Sequence, residues 1–194
     1  MKKQKDVIRC SWSGTDPLYV KYHDEEWGVP LHDDQKIFEF LSLESAQAGL
    51  SWITVLRKRE NYRKAFANFD PKKVAKFDAK KIKALMKDAG IIRYELKIRA
   101  AINNAQRFLE VQKEFGSFDK YMWSFVGGKP LVNKRKGGDI PGTTREAEAF
   151  AKDLKARGFK FLGATTVYAH MQATGMVNDH RMDCFCYKKL ARKT

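Results

Sequence analysis

The clearest hydrophobic pattern in the chain lies between residues 33 and 52. Its core-facing positions recur every three or four residues and share one face of a predicted helix, namely Ile37, Phe40, Leu41, Glu44 and Ala48. We expect this helix to begin at Asp33 or Asp34 and to end at Gly49. Ser51 is then expected to cap a following helix that has Trp52 in its first turn.

Glu44 is the exception on this face, because the other four positions are apolar. An ionised carboxylate that faces a protein core is costly unless it has a partner. One explanation is that Glu44 lies at the edge of the face or pairs with a buried lysine or arginine. The other is that it lies at the bottom of a pocket, with Trp52 nearby, and binds a cationic or hydrogen-bond-donating ligand. The pattern leaves both explanations open.

Helical periodicity continues along most of the chain. Asp16-Pro17 predicts a helix start, and the residues from Tyr94 to Phe115 predict a long amphipathic helix. Two further helices are expected at 145–157 and 164–174. No run alternates in the way that is typical of a strand. The predicted fold class is therefore all-α, with eight or nine short helices.

The stretch from Lys129 to Gly142 is different, because it mixes glycine, proline and four basic residues without a helical period. We expect it to be a basic loop that is mobile or is ordered by a partner. Beyond it, residues 145–175 have the form of two helices joined by a turn that contains Lys160 and Gly163. Such a hairpin can present backbone N–H groups to a phosphate, although helix hairpins are common in all-α proteins.

Aromatic residues are concentrated near the start of the chain. Trp12 precedes the first predicted helix, and Tyr19 and Tyr22 lie on one side of that helix. Packing in the core is the simpler explanation for any one of these rings. Their density is nevertheless high for an ordinary surface helix.

The charge of the chain narrows the class of partner. Of 194 residues, 38 are Lys or Arg and 23 are Asp or Glu, which gives a formal net charge of +15. This balance favours a polyanion, above all nucleic acid, over a merely soluble basic protein. We find no basic amphipathic helix for an anionic membrane surface, no apolar span and no signal peptide. The expectation is a cytoplasmic protein without a membrane partner.

Three cysteines do not form a disulfide framework, so their thiols are expected to be free or bound to metal. Cys10 and His23 lie near one end of the chain, and His180 and Cys184 lie near the other. Together they supply Cys₂His₂, a complete tetrahedral zinc set, in which His180 and Cys184 would share a helix face. The spacing is not that of a zinc finger. Buried thiols and an ordinary histidine explain it equally well.

Several long motifs resemble bacterial 3-methyladenine DNA glycosylases of the type I family. The matching stretches extend over residues 8–186, with the basic loop and both tails outside the match. They include the segments 16–30, 43–44, 47–56, 89–93, 123–126, 157–161 and 178–180.

This resemblance implies a helix-hairpin-helix DNA glycosylase fold with a zinc site that joins the N- and C-terminal segments. It implies hydrolytic removal of 3-methyladenine from double-stranded alkylated DNA, without a lyase step. Glu44 takes the position of the catalytic, base-specific carboxylate, and Lys160 and Gly163 are expected DNA contacts. The base-contacting rings would be Tyr22 and Trp52, with Trp12 and Tyr19 close to them. The metal ligands would be Cys10, His23, His180 and Cys184.

The resemblance also sets the expected organisation of the chain. Residues 1–194 form a single glycosylase domain of two helical lobes, and 1–7 and 188–194 are flexible basic tails. We expect a monomer. Two other functions remain open, a non-catalytic nucleic-acid-binding module and a zinc hydrolase, and the latter needs an open metal position.

Overall fold

The computed structural model describes residues 7–137 and 140–191. The predicted tail residues 1–6 and 192–194, and residues 138–139 of the basic loop, lie outside the described part. Within it the structure is mostly helical, with ten α-helices, two short 3₁₀ helices at Ser11–Ser13 and Ala67–Phe69, and two short strands. None of the described helices is both long enough and apolar enough to cross a membrane.

Most of the ten helices follow one another with short connections, and the longest connection contains the basic loop. Their bounds are α1 Pro17–Glu25, α2 Asp34–Gln47, α3 Trp52–Ala65, α4 Pro71–Val74, α5 Ala79–Leu85, α6 Glu95–Phe115, α7 Phe118–Ser124, α8 Arg145–Ala156, α9 Ala164–Ala173 and α10 Phe185–Ala191. The predicted starts at Pro17, Arg145 and Ala164 are confirmed. The count exceeds the expected eight or nine because residues 185–191, for which no helix was predicted, also form one.

Helix α2 lies at the centre of the fold and is buried from Ile37 to Ala46. Its N-cap is Asp33, whose carboxylate accepts a hydrogen bond from the amide of Lys36 at 2.8 Å. The helix packs against α3, α6, α7 and α9. Because neighbours surround it, every side chain on its inner turns must fit the core or a site inside it.

Asp34 joins the first turn of α2 to a second helix. Its carboxylate accepts hydrogen bonds from the amides of Phe118 and Asp119 at 2.9 and 2.8 Å, at the start of α7. A carboxylate in this position satisfies amides that have no partner within their own helix. The pair of aspartates therefore sets both the start of α2 and its contact with α7.

The prediction of an all-α fold without strands is wrong in one place. Strand β1, Leu131–Val132, pairs in parallel with β2, Val177–Asn178. A further bridge joins Arg135 to Arg181. Because the basic loop is paired in this way, its described part from 129 to 137 is tied to the chain that follows α9. A two-residue strand is too short to show a sequence alternation, which explains the error.

Part of the predicted C-terminal tail is helical. Residues 188–191 of the predicted flexible tail belong to α10, because Leu190 is buried with an exposed fraction of 6%. At the start of this helix the amide of Phe185 donates to the carbonyl of Ile8 at 3.1 Å. The two ends of the described chain therefore lie side by side.

Candidate active site and metal centre

A cavity of about 250 Å³ lies beside the C-terminal half of α2. We call it the aromatic cavity, because five of its ten lining residues are aromatic, namely Trp12, Tyr19, Tyr22, Trp27 and Trp52. The structure thus brings together Glu44 and the four aromatic residues that were predicted to contact a base. Its other lining residues are Gln47, Ile140, Ala169 and Gln172.

Of the residues that the structure describes, Glu44 is the only acidic one that lines this cavity. Its exposed fraction is 4%, and its Oε2 atom has no hydrogen-bond partner among the described residues. Burial raises the pKa of Glu44 to about 8, since no cation offsets the loss of water. The explanation in which Glu44 pairs with a buried lysine or arginine is therefore not supported. Glu44 therefore lines the cavity with one carboxylate oxygen unpartnered among the described residues.

Glu39, one and a half turns earlier on α2, shows the opposite arrangement. It is also buried, but its carboxylate accepts hydrogen bonds from Arg59 at 2.5 Å and from Arg63 at 2.7 Å. Arg59 continues to Glu26 at 2.7 Å. Two arginines thus neutralise the buried carboxylate of Glu39. Among the described residues, no lysine or arginine does the same for Glu44.

The aromatic rings contact one another around Glu44. The centroids of Tyr22 and Trp52 are 5.4 Å apart, and those of Trp12 and Tyr19 are 5.1 Å apart. Such tilted pairs stabilise one another and hold the rings in place. The indole nitrogens of Trp12 and Trp52 are buried without a hydrogen-bond partner in the described part of the chain. The cavity therefore offers a carboxylate acceptor and indole donors between flat apolar surfaces.

The four predicted metal ligands also come together. Cys10, His23, His180 and Cys184 are all buried, and their ligand atoms all lie within 4.8 Å of one another. The sulfur–nitrogen distances are 3.5 Å from Cys10 to His180, and 3.6 Å from Cys184 to each histidine. A tetrahedral zinc site with bonds of about 2.3 Å to sulfur and 2.0–2.1 Å to nitrogen gives roughly the same separations. The residues present therefore fit a four-coordinate metal ion.

The remaining ring nitrogens are held in the manner that is typical of metal-binding histidines. Nδ1 of His23 lies 2.8 Å from a carboxylate oxygen of Asp24, which also pairs with Arg9. Nε2 of His180 lies 3.0 Å from the carbonyl oxygen of Trp27. These contacts leave Nδ1 of His180 facing both thiols and Nε2 of His23 facing the thiol of Cys184.

One detail of the metal centre differs from the sequence analysis. His180 and Cys184 do not lie on a common helix; the chain between them turns, and the amide of Cys184 donates to the carbonyl of Arg181 at 2.9 Å. The third thiol, Cys186, is buried and points to the carbonyl of His23 at 3.8 Å. Cys186 is close to His23 and Asp24 but is not part of the four-ligand group.

The hairpin between α8 and α9 has the predicted form. Lys160 is exposed in the turn, and Gly163 is the N-cap of α9. The side chain of Asn104, on α6, bonds Lys160 twice, accepting from its amide at 2.8 Å and donating to its carbonyl at 2.9 Å. The amide of Lys160 is therefore occupied, and the amides free for a phosphate are those at the start of α9. Phe161 has a φ of +58°, a left-handed backbone conformation that is unusual for a phenylalanine. The two bonds from Asn104 fix the neighbouring residue of this turn.

Sequence reasoning missed the residues around Asp179. This aspartate is fully buried and accepts hydrogen bonds from Tyr168, from Gln172 at 2.8 Å and from Asn133 at 2.7 Å. Arg135 pairs with it at 3.0 Å. One signal was available, because Tyr168 and Gln172 are four residues apart and lie on one side of α9. The partners in the basic loop carry no such signal.

Comparison with known proteins places these features in context. Residues 12–187 match a family model described as methyladenine glycosylase. The chain is 51% identical to DNA-3-methyladenine glycosylase 1 of Escherichia coli strain K12, over 92% of this chain and 96% of that protein. It is 50% identical to a DNA-3-methyladenine glycosylase of Haemophilus influenzae, over 93% of this chain and 98% of that protein.

A solved structure agrees with the sequence matches. The fold is similar to that of 3-methyladenine DNA glycosylase I from Staphylococcus aureus, a structure concerned with 3-methyladenine recognition, with a TM-score of 0.89 and 42% identity. The similarity covers 91% of this chain and 95% of the other. Sequence and fold therefore point to the same family.

Proposed function

The chain belongs to the methyladenine glycosylase family, and from that premise we propose how its residues excise a base from DNA. The enzyme is a DNA-3-methyladenine glycosylase, a hydrolase of N-glycosyl bonds. It acts on double-stranded alkylated DNA by turning the damaged nucleotide out of the helix into the aromatic cavity. One observation carries the proposal, namely a buried carboxylate that lies between aromatic rings and has an oxygen without a partner in the described part of the chain.

Glu44 is the residue that recognises the damaged base. Methylation at N3 makes the adenine of a nucleotide cationic, and a carboxylate complements that charge and accepts hydrogen bonds from the base. Neutral adenine lacks this charge and leaves the buried carboxylate poorly compensated, so it is discriminated against. The raised pKa of Glu44, about 8, supports this role, because a cation in the cavity restores the ionised form.

Stacking on aromatic rings offsets part of the cost of extruding the nucleotide. Unstacking costs a few kcal/mol. Tyr22 and Trp52 provide faces for the base, with Trp12 and Tyr19 beside them, and a cation over an aromatic face contributes roughly 0.5–2 kcal/mol. The indole N–H groups of Trp12 and Trp52 are available as donors.

Hydrolysis requires little activation of the leaving group. The positive charge on the base weakens the glycosidic bond, and the base departs with the bonding electrons. Water supplies the oxygen that joins the sugar carbon and releases a proton. Among the described residues no lysine lines the cavity, so none of them places an amine to form a Schiff base with the sugar. We propose a monofunctional enzyme without a strand-cleaving step.

The hairpin of α8 and α9 is the proposed helix-hairpin-helix element. The exposed side chain of Lys160 and the amides after Gly163 would bind phosphates of the DNA backbone. A net charge of +15 supports this, since neutralised phosphates dominate the affinity of such proteins. The whole chain is proposed to act as one domain and as a monomer, in the reducing cytoplasm that its three free cysteines suit.

The metal is proposed to be zinc in a structural role. Cys10, His23, His180 and Cys184 would hold it, and four protein ligands leave no position for a water molecule. Its contribution would be to fasten the two ends of the chain. The rival function of a zinc hydrolase needs an open position, and the geometry of the four-ligand group does not favour it.

Chromatography of bases released from methylated DNA tests the proposal. We expect free 3-methyladenine to be released without strand cleavage. A purely nucleic-acid-binding module would bind this DNA but release no base, and that result would overturn the proposed activity. A zinc hydrolase would lose all activity when one metal ligand is replaced in a protein that still folds.

A further inference from the structure

The basic loop carries two exposed lysines that no function described so far uses. Lys134 and Lys136 are exposed, and neither forms an ion pair with any residue that the structure describes. Between them Arg135 points inward, as does Asn133 before them, and both bind the buried carboxylate of Asp179. The chain therefore alternates here, with two side chains anchored inside and two cations presented outside.

The anchor is built to hold this arrangement. Arg135 donates to Asp179 at 3.0 Å and to the hydroxyl of Tyr168 at 3.2 Å. The backbone adds a bond from the amide of Met182 to the carbonyl of Arg135 at 3.0 Å. Burying a carboxylate and its four donors costs free energy, because each of these groups loses its water. Such a network indicates that the position of the loop matters for function.

The anchor also ties the loop to the aromatic cavity. Gln172, which lines the cavity, donates to the same Asp179 at 2.8 Å. Ile140, another lining residue, lies four positions after Lys136, and four residues of chain span at most about 14 Å. At roughly 3.4 Å of helix rise per nucleotide, this distance corresponds to about four nucleotides of one strand.

We propose that Lys134 and Lys136 form a second phosphate-binding surface, which holds the DNA backbone next to the extruded nucleotide. The partner is the sugar-phosphate backbone of the strand being repaired, and Asp179 is the positioning residue that fixes the surface beside the cavity. This inference rests on the proposed glycosylase function. It adds to the hairpin a contact on another part of the chain.

The test compares two double variants of the full-length protein. Lys134→Ala with Lys136→Ala removes the proposed surface. Lys80→Ala with Lys83→Ala removes the same charge from α5, where both of these lysines are also exposed and line no part of the aromatic cavity. Binding to a duplex with one abasic site is measured across a salt series, and free 3-methyladenine binding and base release are measured on the same samples.

We expect the loop variant to bind the duplex on the order of tenfold more weakly at 0.1 M salt, with a salt slope smaller by about 2. The α5 variant should change neither value to that extent, and free 3-methyladenine should bind both variants as it binds the parent protein. Equal effects of the two variants, or no effect of the loop variant, would overturn the proposal. Absence of base release by the parent protein would instead count against the proposed function.

Discussion

At the scale of residues, α2 carries two buried glutamates in opposite situations. Glu39 is paired with Arg59 and Arg63, whereas the Oε2 atom of Glu44 has no partner among the described residues. Removing one partner of a buried ion pair destabilises the fold, because the other charge is left unpaired. A buried charge that has no partner opposes folding from the start. The two residues therefore predict contrasting mutants on one helix.

Glu44→Gln keeps the shape of the side chain but removes its charge and replaces one acceptor by a donor. Affinity for free 3-methyladenine should fall by ~1.5–3 kcal/mol, the range for hydrogen bonds to charged groups. Thermal stability should hold or rise. Titration with the free base and thermal melting measure both effects.

Glu39→Gln is the matched control, because it should lower stability while base binding stays unchanged. A large loss of stability in Glu44→Gln with unchanged base affinity would show that Glu44 has an internal partner. Excision by Glu44→Gln should fall moderately, since the cationic substrate already activates its own leaving group.

The raised pKa of Glu44 also predicts a pH dependence of stability. Its pKa moves from an ordinary value of 4.5 to about 8 through burial, so below pH 4.5 both folded and unfolded states are protonated. Between these values the unfolded chain loses the proton first, and the free energy of unfolding must fall as pH rises. The stability advantage of Glu44→Gln should grow across this window by up to about 1.4 kcal/mol per pH unit. Chemical denaturation at pH 5, 6, 7 and 8 measures it, and a constant difference would contradict the assignment.

At the scale of elements, the turn between α8 and α9 is shaped from outside the hairpin. Asn104 lies on α6, has an exposed fraction of 1% and bonds both backbone groups of Lys160. Asn103 adds a bond to the carbonyl of Gly158 at 2.9 Å. The long helix α6 therefore sets the conformation of the turn that we propose to contact DNA.

Asn104→Ala should disturb this turn without touching the aromatic cavity. Loss of the two bonds should lower the free energy of unfolding by about 1–3 kcal/mol, because backbone groups lose their partner. Affinity for an abasic-site duplex should fall, while free 3-methyladenine binds normally. Gln106→Ala is the control. Gln106 also lies on α6, and its side-chain amide donates to the carbonyl of Ala75, away from the turn. If the Asn104→Ala and Gln106→Ala variants bind DNA equally well, Asn104 does not position the turn for DNA binding.

At the scale of the whole molecule, the metal centre joins segments that are far apart in sequence. Cys10 and His180 are separated by 170 positions, yet their ligand atoms are 3.5 Å apart. The turn after α9 packs equally closely, since a Cβ on Gly175 would come within 2.3 Å of the carbonyl carbon of Val29. The N-terminal segment is thus enclosed by the C-terminal one, and a metal ion would lock that arrangement.

Cys184→Ala should therefore release the metal and lower the unfolding free energy by several kcal/mol. Elemental analysis of the parent protein should show about one zinc per chain, and protein of the variant that remains folded should still excise 3-methyladenine. Cys186→Ala is the control, because that thiol lies outside the four-ligand group and its loss should leave the metal content unchanged. Loss of metal in the Cys186 variant would favour the alternative group of His23, Asp24 and Cys186.

The sequence by itself determined the local elements and the identity of most candidate residues. The start of α2 after Asp33 and of α3 after Ser51 agree with the prediction, because a period of 3.6 acts over a few positions. The carboxylate of Asp33 caps α2, whereas the hydroxyl of Ser51 bonds the hydroxyl of Thr54 and caps no amide of α3. The same motifs brought Glu44 and its aromatic neighbours to attention. Family resemblance supplied what they recognise, which no periodicity could.

Only the tertiary structure decided which charges have partners. Glu39, Glu44 and Asp179 are all buried carboxylates, and nothing in their local sequence says that the first has two arginines, the second none and the third a basic loop. Such pairings join residues twenty to forty-six positions apart, and their stability comes from shared burial, which leaves no periodic trace in the chain. The short parallel pairing of β1 with β2 was missed for the same reason, because its hydrogen bonds depend on a partner strand and not on its own two residues.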